Sequence, residues 1–214
     1  MRRPFVWPAL TAALALAACS QEQPESEPAE SSATASPTPG NEAGAASDDA
    51  GTAESAAGAD GYSSAYTAFD LEACRVTGES PEGASVDYAC PGRADVPLFV
   101  HLGDGRLDLD AGVDGEEFVT IGAFNEIGDR LEWRMKDGAP FAVIFRYRDV
   151  APQSAGRTVI AIEKVGRTGQ PGCRVAQIAG DTPDANGVAR EIADKRTEGF
   201  RCGTDETAYI GNAR

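Results

Sequence analysis

The sequence predicts an α+β fold, mostly antiparallel β-sheet with one C-terminal helix and two disulfides. Three observations predict it. From Tyr62 onward, apolar and aromatic residues come in short runs of strand length, separated by Gly, Pro and Asp. Near the C-terminus, the segment 185–193 has the i, i+3, i+4 spacing of a helix instead. Four of the five cysteines lie after Tyr62, and an even number of cysteines allows all of them to form disulfides.

The apolar runs predict strands at 69–76, 85–90, 98–102, 106–110, 118–121, 131–135, 141–150, 158–165 and 173–178. In 131–135, apolar and charged residues alternate, so one face of that strand is apolar and the other is charged. Asp137-Gly138 then supplies the positive φ angles of a tight hairpin turn. The runs 141–145 and 159–162 are apolar on both faces, which is typical of central strands.

The predicted helix has an apolar stripe and end signals. Asp181 or Thr182 can cap it, Pro183 fits its first turn, and Gly199 ends it. The stripe consists of Ala185, Val188, Ala189, Ile192 and Ala193. Because three of these residues are alanine, we expect the helix to lie close to a sheet.

The four cysteines of this region can pair in three ways. We expect Cys74–Cys90 and Cys173–Cys202, because each pair joins neighbouring elements. A zinc site is disfavoured, since the chain has no C-x-x-C pair and a single histidine. The same lack of close spacing disfavours a redox-active thiol pair.

Residues 1–18 have the pattern of a secretory signal peptide, with Arg2 and Arg3 before a short apolar run and small residues at its end. The segment Leu16-Ala17-Ala18-Cys19 resembles the lipobox of bacterial lipoproteins. The resemblance implies a diacylglycerol thioether on Cys19, cleavage before it, and acylation of the new amino group. The alternative is ordinary cleavage after Ala17, which would leave a secreted protein without an anchor.

The resemblance to lipoproteins also implies a place in the cell. The chain would reach the bacterial envelope and hold to a membrane through the lipid on Cys19. Ser20 is not the aspartate that retains many lipoproteins in the inner membrane, so the outer membrane, with the domain facing the periplasm, is favoured. No later segment is long and apolar enough to predict a transmembrane helix.

Residues 19–60 are predicted to be a disordered acidic tether behind the lipidated cysteine. From Ser20 to Asp60 the chain has no aromatic residue, no Val, Ile, Leu or Met, and no lysine or arginine. Flexible-coil scaling gives such a segment a span of about 35 Å. Residues 61–214 are expected to form a single globular domain.

Net charge limits the partners. The chain carries 34 acidic and 19 basic residues, a net charge of −15. An acidic protein repels phosphate backbones and anionic headgroups, so nucleic acid and charge-driven membrane binding are excluded as functions. An envelope protein is the expected partner, and no cofactor is implied.

His101, the only histidine, lies in the predicted strand 98–102. It could act as a base, but a lone strand histidine is more often a hydrogen-bonded structural residue. No nucleophile elbow, H-E-x-x-H motif or phosphate-binding glycine loop accompanies it. The sequence therefore assigns no catalytic residue.

The acidic stretch 103–117 is the best candidate for a metal site. Its carboxylates are hard oxygen ligands of the kind calcium takes, and the weak candidates are Asp104, Asp108, Asp110 and Asp114. The EF-hand spacing fails, however, whether counted from Asp108 or from Asp110. The favoured interpretation is a strand with Leu107 and Leu109 inward and the acids outward, followed by a solvated turn.

Arginines on the predicted hairpin admit two interpretations. Arg134, Arg146 and Arg148 could form a basic patch for an acidic partner, or they could neutralise Glu132 and Asp129 across the strands. We favour neutralisation.

A second resemblance covers most of residues 66–202. The E-W-R strand at 132–134 and the cysteine-flanked C-terminal helix resemble those of short, uncharacterised proteobacterial envelope proteins. No activity comes with it. Many of those proteins have histidine after the third cysteine, where this chain has Arg174, and this departure argues against catalysis there.

The function predicted from these observations is a membrane-anchored, non-catalytic binding or interaction module of the periplasm. The alternatives are an envelope hydrolase using carboxylates or His101, and a calcium-stabilised structural domain.

Overall fold

The computed structural model describes residues 60–115 and 117–214. Cys19, the predicted signal peptide and nearly all of the predicted tether lie outside these residues, so the expectations about them stay predictions. Along the described part of the chain, no helix has both the length and the apolar composition needed to cross a bilayer.

The described residues form strands and one α-helix. The strands are β1 (Tyr62–Ala68), β2 (Arg75–Glu79), β3 (Ser85–Arg93), β4 (Val96–Gly103), β5 (Arg106–Ala111), β6 (Asn125–Ile127), β7 (Arg130–Lys136), β8 (Ala139–Asp149), β9 (Thr158–Lys164), β10 (Cys173–Ala179) and β11 (Ala208–Ile210). The helix, α1, spans Ala185–Arg196. The predicted fold class, mostly antiparallel sheet with one C-terminal helix and two disulfides, is confirmed.

The strands divide between two sheets. The large sheet has the order β1-β7-β8-β9-β10-β11, with β6 also paired to β8, and only β10 and β11 are parallel. The small sheet has the order β2-β3-β4-β5 and is antiparallel throughout. The predicted hairpin turn at Asp137-Gly138 joins β7 to β8 with φ angles of 49° and 77°, as such a turn requires.

Apolar packing on both faces of the large sheet explains why β8 and β9 are apolar on both sides. One face packs against the small sheet, where Trp133 and Phe145 of the large sheet share a core with Leu98 and Leu109 of the small one. The opposite face carries Ile144, Ile160 and Ile162 and packs against α1. The order of layers is therefore helix, large sheet, small sheet.

Helix α1 packs through its alanines, as the stripe predicts. Ala185, Ala189 and Ala193 are buried against the large sheet. The predicted cap is wrong: Asp184, rather than Asp181 or Thr182, accepts a hydrogen bond from the Gly187 N–H at 3.3 Å. The helix therefore begins two residues after Pro183, which lies outside its first turn, and it ends at Arg196, three residues before Gly199.

The cysteines pair as expected, Cys74 with Cys90 and Cys173 with Cys202. The first disulfide joins the residue before β2 to β3. The second joins the start of β10 to the segment after α1, and so holds the C-terminal end of the helix region to the large sheet.

Two predicted strands are wrong. The run 69–76 breaks into a 3-10 turn at Leu71–Ala73 and then β2, because the Asp70 carboxylate accepts from the Glu72 N–H at 2.9 Å and turns the chain. The run 118–121 has no strand, and its Val119 N–H donates to a carboxylate instead of a neighbouring strand. Strands β1, β6 and β11 were not predicted, since they are short or rich in Ser, Thr and Ala.

Candidate functional site

A cavity of about 340 Å³ lies where β5, β9 and β10 meet. It is called the acidic cavity here, because Asp108, Asp110 and Glu163 line it with a single cation among them, Arg174. The glycine-rich loop 169–172 and the Cys173–Cys202 disulfide complete its wall. The disulfide and the strand pairs β9–β10 and β4–β5 hold this wall in place.

Arg174 is the central buried group of the cavity. Its Nε donates to Oε2 of Glu163 at 3.0 Å, and its Nη2 donates to Oδ1 of Asp108 at 2.9 Å and to the Tyr147 hydroxyl at 3.2 Å. The guanidinium also lies near the rings of Phe145 and Tyr147, with centroids 5.1 and 5.5 Å away. Its side chain is 1% exposed, so its charge is neutralised by protein groups rather than by water.

Asp108 is fully partnered. Besides Arg174, its oxygens accept from the backbone N–H groups of Leu109 at 2.8 Å and Val119 at 2.7 Å. The bond to Val119 holds the segment after residue 116 over the outer face of β5. This contact explains why the expected solvated face is covered.

Asp110 is buried with fewer hydrogen bonds than Asp108. Its Oδ2 accepts from the Gly115 N–H at 3.1 Å. Burial and the neighbouring charge of Asp108 raise the pKa of Asp110 to about 6, against the opposing effects of Gly115, His101 and Arg174.

Glu163 is the most deeply buried acid of the cavity, at 1% exposure. Its Oε2 accepts from Arg174, while its Oε1 has no hydrogen-bond partner among the described residues. Burial raises the pKa of Glu163 well above its usual value, and the charges of Asp110 and Asp108 raise it further against the pull of Arg174. A buried acceptor without a donor is costly, and in native proteins it calls for an explanation.

His101 lies beside this group, on β4. Its Nδ1 is 2.8 Å from Oδ1 of Asp87, and its Nε2 is 2.8 Å from Oδ1 of Asp114 and 3.6 Å from Oδ2 of Asp110. Burial lowers the pKa of His101, but the surrounding carboxylates outweigh burial, and the net shift is upward. The expectation of a hydrogen-bonded histidine is met, although its partners are charged groups rather than a neutral core.

The four weak metal candidates do not act as one set. Asp104 lies at the turn between β4 and β5, where its side chain is 81% exposed and 3.6 Å from Arg106. Asp108 faces Arg174, and only Asp110 and Asp114 meet at His101. The expectation that Asp108 and Asp110 point to solvent is wrong, since they are 2% and 5% exposed.

Sequence reasoning missed Glu163, Arg174 and Tyr147. A signal for Glu163 exists: in β9 it shares a strand face with Val159 and Ala161, so period two places its carboxyl inside. Arg174 lies opposite Glu163 in the register of β9 and β10. No local pattern in the sequence indicates that these two residues meet Asp108.

A second ionic cluster, here called the helix-side cluster, lies on the opposite face of the large sheet. Arg134 binds both carboxylate oxygens of Asp194 at 2.9 and 2.7 Å, and Arg190 binds both oxygens of Glu132 at 2.6 and 3.0 Å. The charged face of β7 is thus covered by α1. The neutralisation hypothesis is correct only in part, because Arg134 and Glu132 each pair with an opposite charge on α1, Asp194 and Arg190, and not with each other or across the strands.

The remaining hairpin arginines, Arg146 and Arg148, line one groove with Arg130, Arg190 and the acids Asp129 and Glu132. Arg148 pairs with Asp129 at 3.2 Å, as the neutralisation hypothesis predicts. Arg146 donates to Thr158 at 3.1 Å and to Asn186 at 2.9 Å.

Comparison of the chain with protein-family models, with curated proteins and with solved structures finds no significant match. The interpretation of the acidic cavity therefore depends on its own geometry and chemistry.

Proposed function

We propose that this chain is a lipid-anchored protein of the bacterial envelope whose folded domain is a non-catalytic binding module, with the acidic cavity as its ligand site. The observation that carries the proposal is Oε1 of Glu163, a buried carboxylate oxygen without a hydrogen-bond partner among the described residues. A ligand that donates to this oxygen would remove the cost of leaving it unpaired.

The charge of the cavity favours a cationic ligand. Three buried carboxyl groups face one guanidinium, and burial, together with the neighbouring carboxylates, raises the pKa values of Asp110 and Glu163 in spite of Arg174. Buried charges are stable in proteins when they are paired, so a positive group entering the cavity would gain both Coulomb attraction and hydrogen bonds. A metal ion, an ammonium group or a lysine side chain of an envelope protein each supplies such a charge.

The lipobox-like segment before Cys19 supports the anchor. Two or more acyl chains there would hold the protein stably at a membrane, since each buried CH₂ contributes about 0.8 kcal/mol. The acidic segment 19–60 would then let the domain and its cavity stand clear of the outer membrane, facing the periplasm. Incorporation of labelled fatty acid should be complete in the wild type and lost in Cys19→Ser. A purified protein with Met1 retained and an unmodified Cys19 thiol would contradict the anchor.

Thermal unfolding of the purified mature protein in detergent tests the binding site. Putrescine, agmatine and divalent cations should be tested one at a time, because a ligand that binds only the folded state raises the unfolding temperature. We expect at least one of them to stabilise the wild type and to lose its effect in Glu163→Gln. Asp104→Asn, which removes an exposed acid outside the cavity, is the matched control and should respond like the wild type. No shift with any cation would overturn the proposal.

A hydrolase is the second candidate function, because Asp108 and Asp110 lie on one face of β5 and line the same cavity. Glycoside hydrolysis uses such carboxyl pairs. Activity profiling against glycans and peptides decides between the two: turnover that is lost in both Asp108→Asn and His101→Ala favours a hydrolase. Ligand binding without turnover favours the binding module.

A further inference from the structure

Three side chains at the edge of the acidic cavity converge on one point. They are His101 on β4, Asp110 on β5 and Asp114 in the loop that follows. One ligand atom from each lies within 4.8 Å of the others. We propose that this group binds a divalent first-row transition metal ion through Nε2 of His101 and one carboxylate oxygen each from Asp110 and Asp114. The inference depends on the proposed function, since it names the cation that the acidic cavity takes.

The spacing of the three atoms fits a metal ion. Around an ion with bonds of about 2.1 Å, neighbouring ligand atoms lie about 3.0–3.5 Å apart. Nε2 of His101 is 2.8 Å from Oδ1 of Asp114 and 3.6 Å from Oδ2 of Asp110. Both distances to Nε2 are within about 0.2 Å of this range, and the two carboxylate oxygens lie within 4.8 Å of each other.

Nδ1 of His101 contacts a carboxylate, as the non-ligating nitrogen of a metal-bound histidine commonly does. Nδ1 lies 2.8 Å from Oδ1 of Asp87 on β3, so an N–H at Nδ1 donates to that carboxylate and leaves the Nε2 lone pair for a metal. A carboxylate behind a ligating histidine fixes its tautomer and increases its basicity. Asp110 is likewise oriented by the Gly115 N–H.

A turn after β5 places Asp114, the third ligand, beside His101. Gly112, directly after β5, has a φ of 84°, and a Cβ there would meet the Gly166 carbonyl oxygen at 2.3 Å. Only glycine fits this close turn. The turn returns the chain so that Asp114 reaches His101 across the small sheet.

The unpartnered Oε1 of Glu163 is an independent sign of a ligand. Glu163 lines the same cavity as Asp110 and Asp114. Three protein ligands leave at least one position open on a transition metal, which water normally fills. A metal-bound water is a hydrogen-bond donor, which is the partner that Oε1 lacks.

The ligand set favours a transition metal over calcium. Calcium takes oxygen ligands, six to eight of them, whereas imidazole nitrogen with carboxylate suits ions such as Zn²⁺. The predicted calcium site therefore becomes an alternative outcome of the test.

Titration calorimetry with Zn²⁺ and with Ca²⁺, on the purified mature protein in detergent, tests the inference. We expect one equivalent of Zn²⁺ to bind, with affinity reduced more than tenfold in His101→Gln and in Asp114→Asn. Asp114 lies in a half-exposed loop, so its variant should keep the fold. Asp87→Asn should weaken binding about 10–100-fold. Asp104→Asn is the control and should bind like the wild type.

Each contrary outcome identifies what failed. No binding of Zn²⁺, or binding that is unchanged in His101→Gln and Asp114→Asn, overturns the metal site. If putrescine or agmatine still stabilises the wild type but not Glu163→Gln, the acidic cavity remains a cation site and only the metal inference fails. Calcium binding that is indifferent to His101→Gln would instead establish the calcium-stabilised domain.

Discussion

The acidic cavity and the helix-side cluster lie on opposite faces of the same sheet, and both hold buried charge. In the helix-side cluster, two carboxylates meet two arginines, each pair joined through two hydrogen bonds. In the acidic cavity, three buried carboxyl groups share one buried cation of the described lining, Arg174, and one oxygen of Glu163 has no partner among the described residues. The first arrangement is complete without a ligand, whereas the second is not.

The difference in charge balance separates a structural role from a binding role. Glu132 and Asp194 attach α1 to the large sheet through arginines, and nothing further is needed to neutralise them. The acidic cavity instead buries three carboxyl groups, each at most 5% exposed, around one guanidinium. Stability alone does not explain such an arrangement, because apolar replacements of buried ions are often stabilising.

The largest effect should follow from removal of Arg174, the one cation among the described residues that line the cavity. Arg174→Met leaves Asp108 and Glu163 buried without a positive partner, which should lower the free energy of unfolding by about 3–5 kcal/mol in urea titration. The matched control is Arg148→Met, which breaks an exposed pair with Asp129 and should cost less than about 1 kcal/mol. Equal losses in the two variants would contradict the central place given to Arg174.

A smaller loss is expected on the helix side. Glu132→Gln removes the charge that Arg190 binds, and the free energy of unfolding should fall by about 1–2 kcal/mol. Chemical denaturation at neutral pH measures it. A gain in stability would show that the helix-side cluster is not the balanced structure described above.

The pH dependence of the free energy of unfolding should also show the buried carboxyl groups of the acidic cavity. The pKa of Asp110 is about 6 in the folded protein and 3.8 in the reference state, so between these values the folded chain binds a proton that the unfolded chain has lost. The free energy of unfolding should therefore fall as the pH rises through this interval, by up to about 3 kcal/mol. Glu163 adds a slope of the same sign, since its pKa is also raised.

Urea titrations between pH 4 and 7, with a chelator present, check this slope. Asp110→Asn should flatten it, because the amide cannot titrate. His101, Asp108 and Arg174 face Asp110 from β4, β5 and β10, and they remain in the variant as in the wild type. A slope that is unchanged in Asp110→Asn would contradict the shift assigned to this carboxyl.

The sequence predicts what is local and leaves out what joins distant segments. Period-two alternation, the Asp137-Gly138 turn and the alanine stripe of α1 are properties of a few consecutive residues, and each is found in the structure. The disulfide pairing was also accessible, because each pair joins neighbouring elements.

The candidate site was predicted only in part, because the sequence does not show which segments of the chain cover the acidic face of β5. Alternation correctly separates Asp108 and Asp110 from the leucines of β5, but it does not say what covers the second face. That face is closed by β10 through Arg174, which is 66 residues beyond Asp108, and by the Val119 N–H. The acidic stretch therefore looks solvated in sequence and is buried in the folded chain.

The free energy of unfolding of Glu163→Gln, measured at pH 7 with a chelator present, tests the central claim most directly. Because the cavity lacks positive charge and Glu163 is buried, the neutral amide should stabilise the ligand-free protein by about 1 kcal/mol, opposite in sign to Glu132→Gln. A loss as large as that of Glu132→Gln would mean that Arg174 already satisfies Glu163, and that the cavity is a structural cluster like its counterpart under the helix.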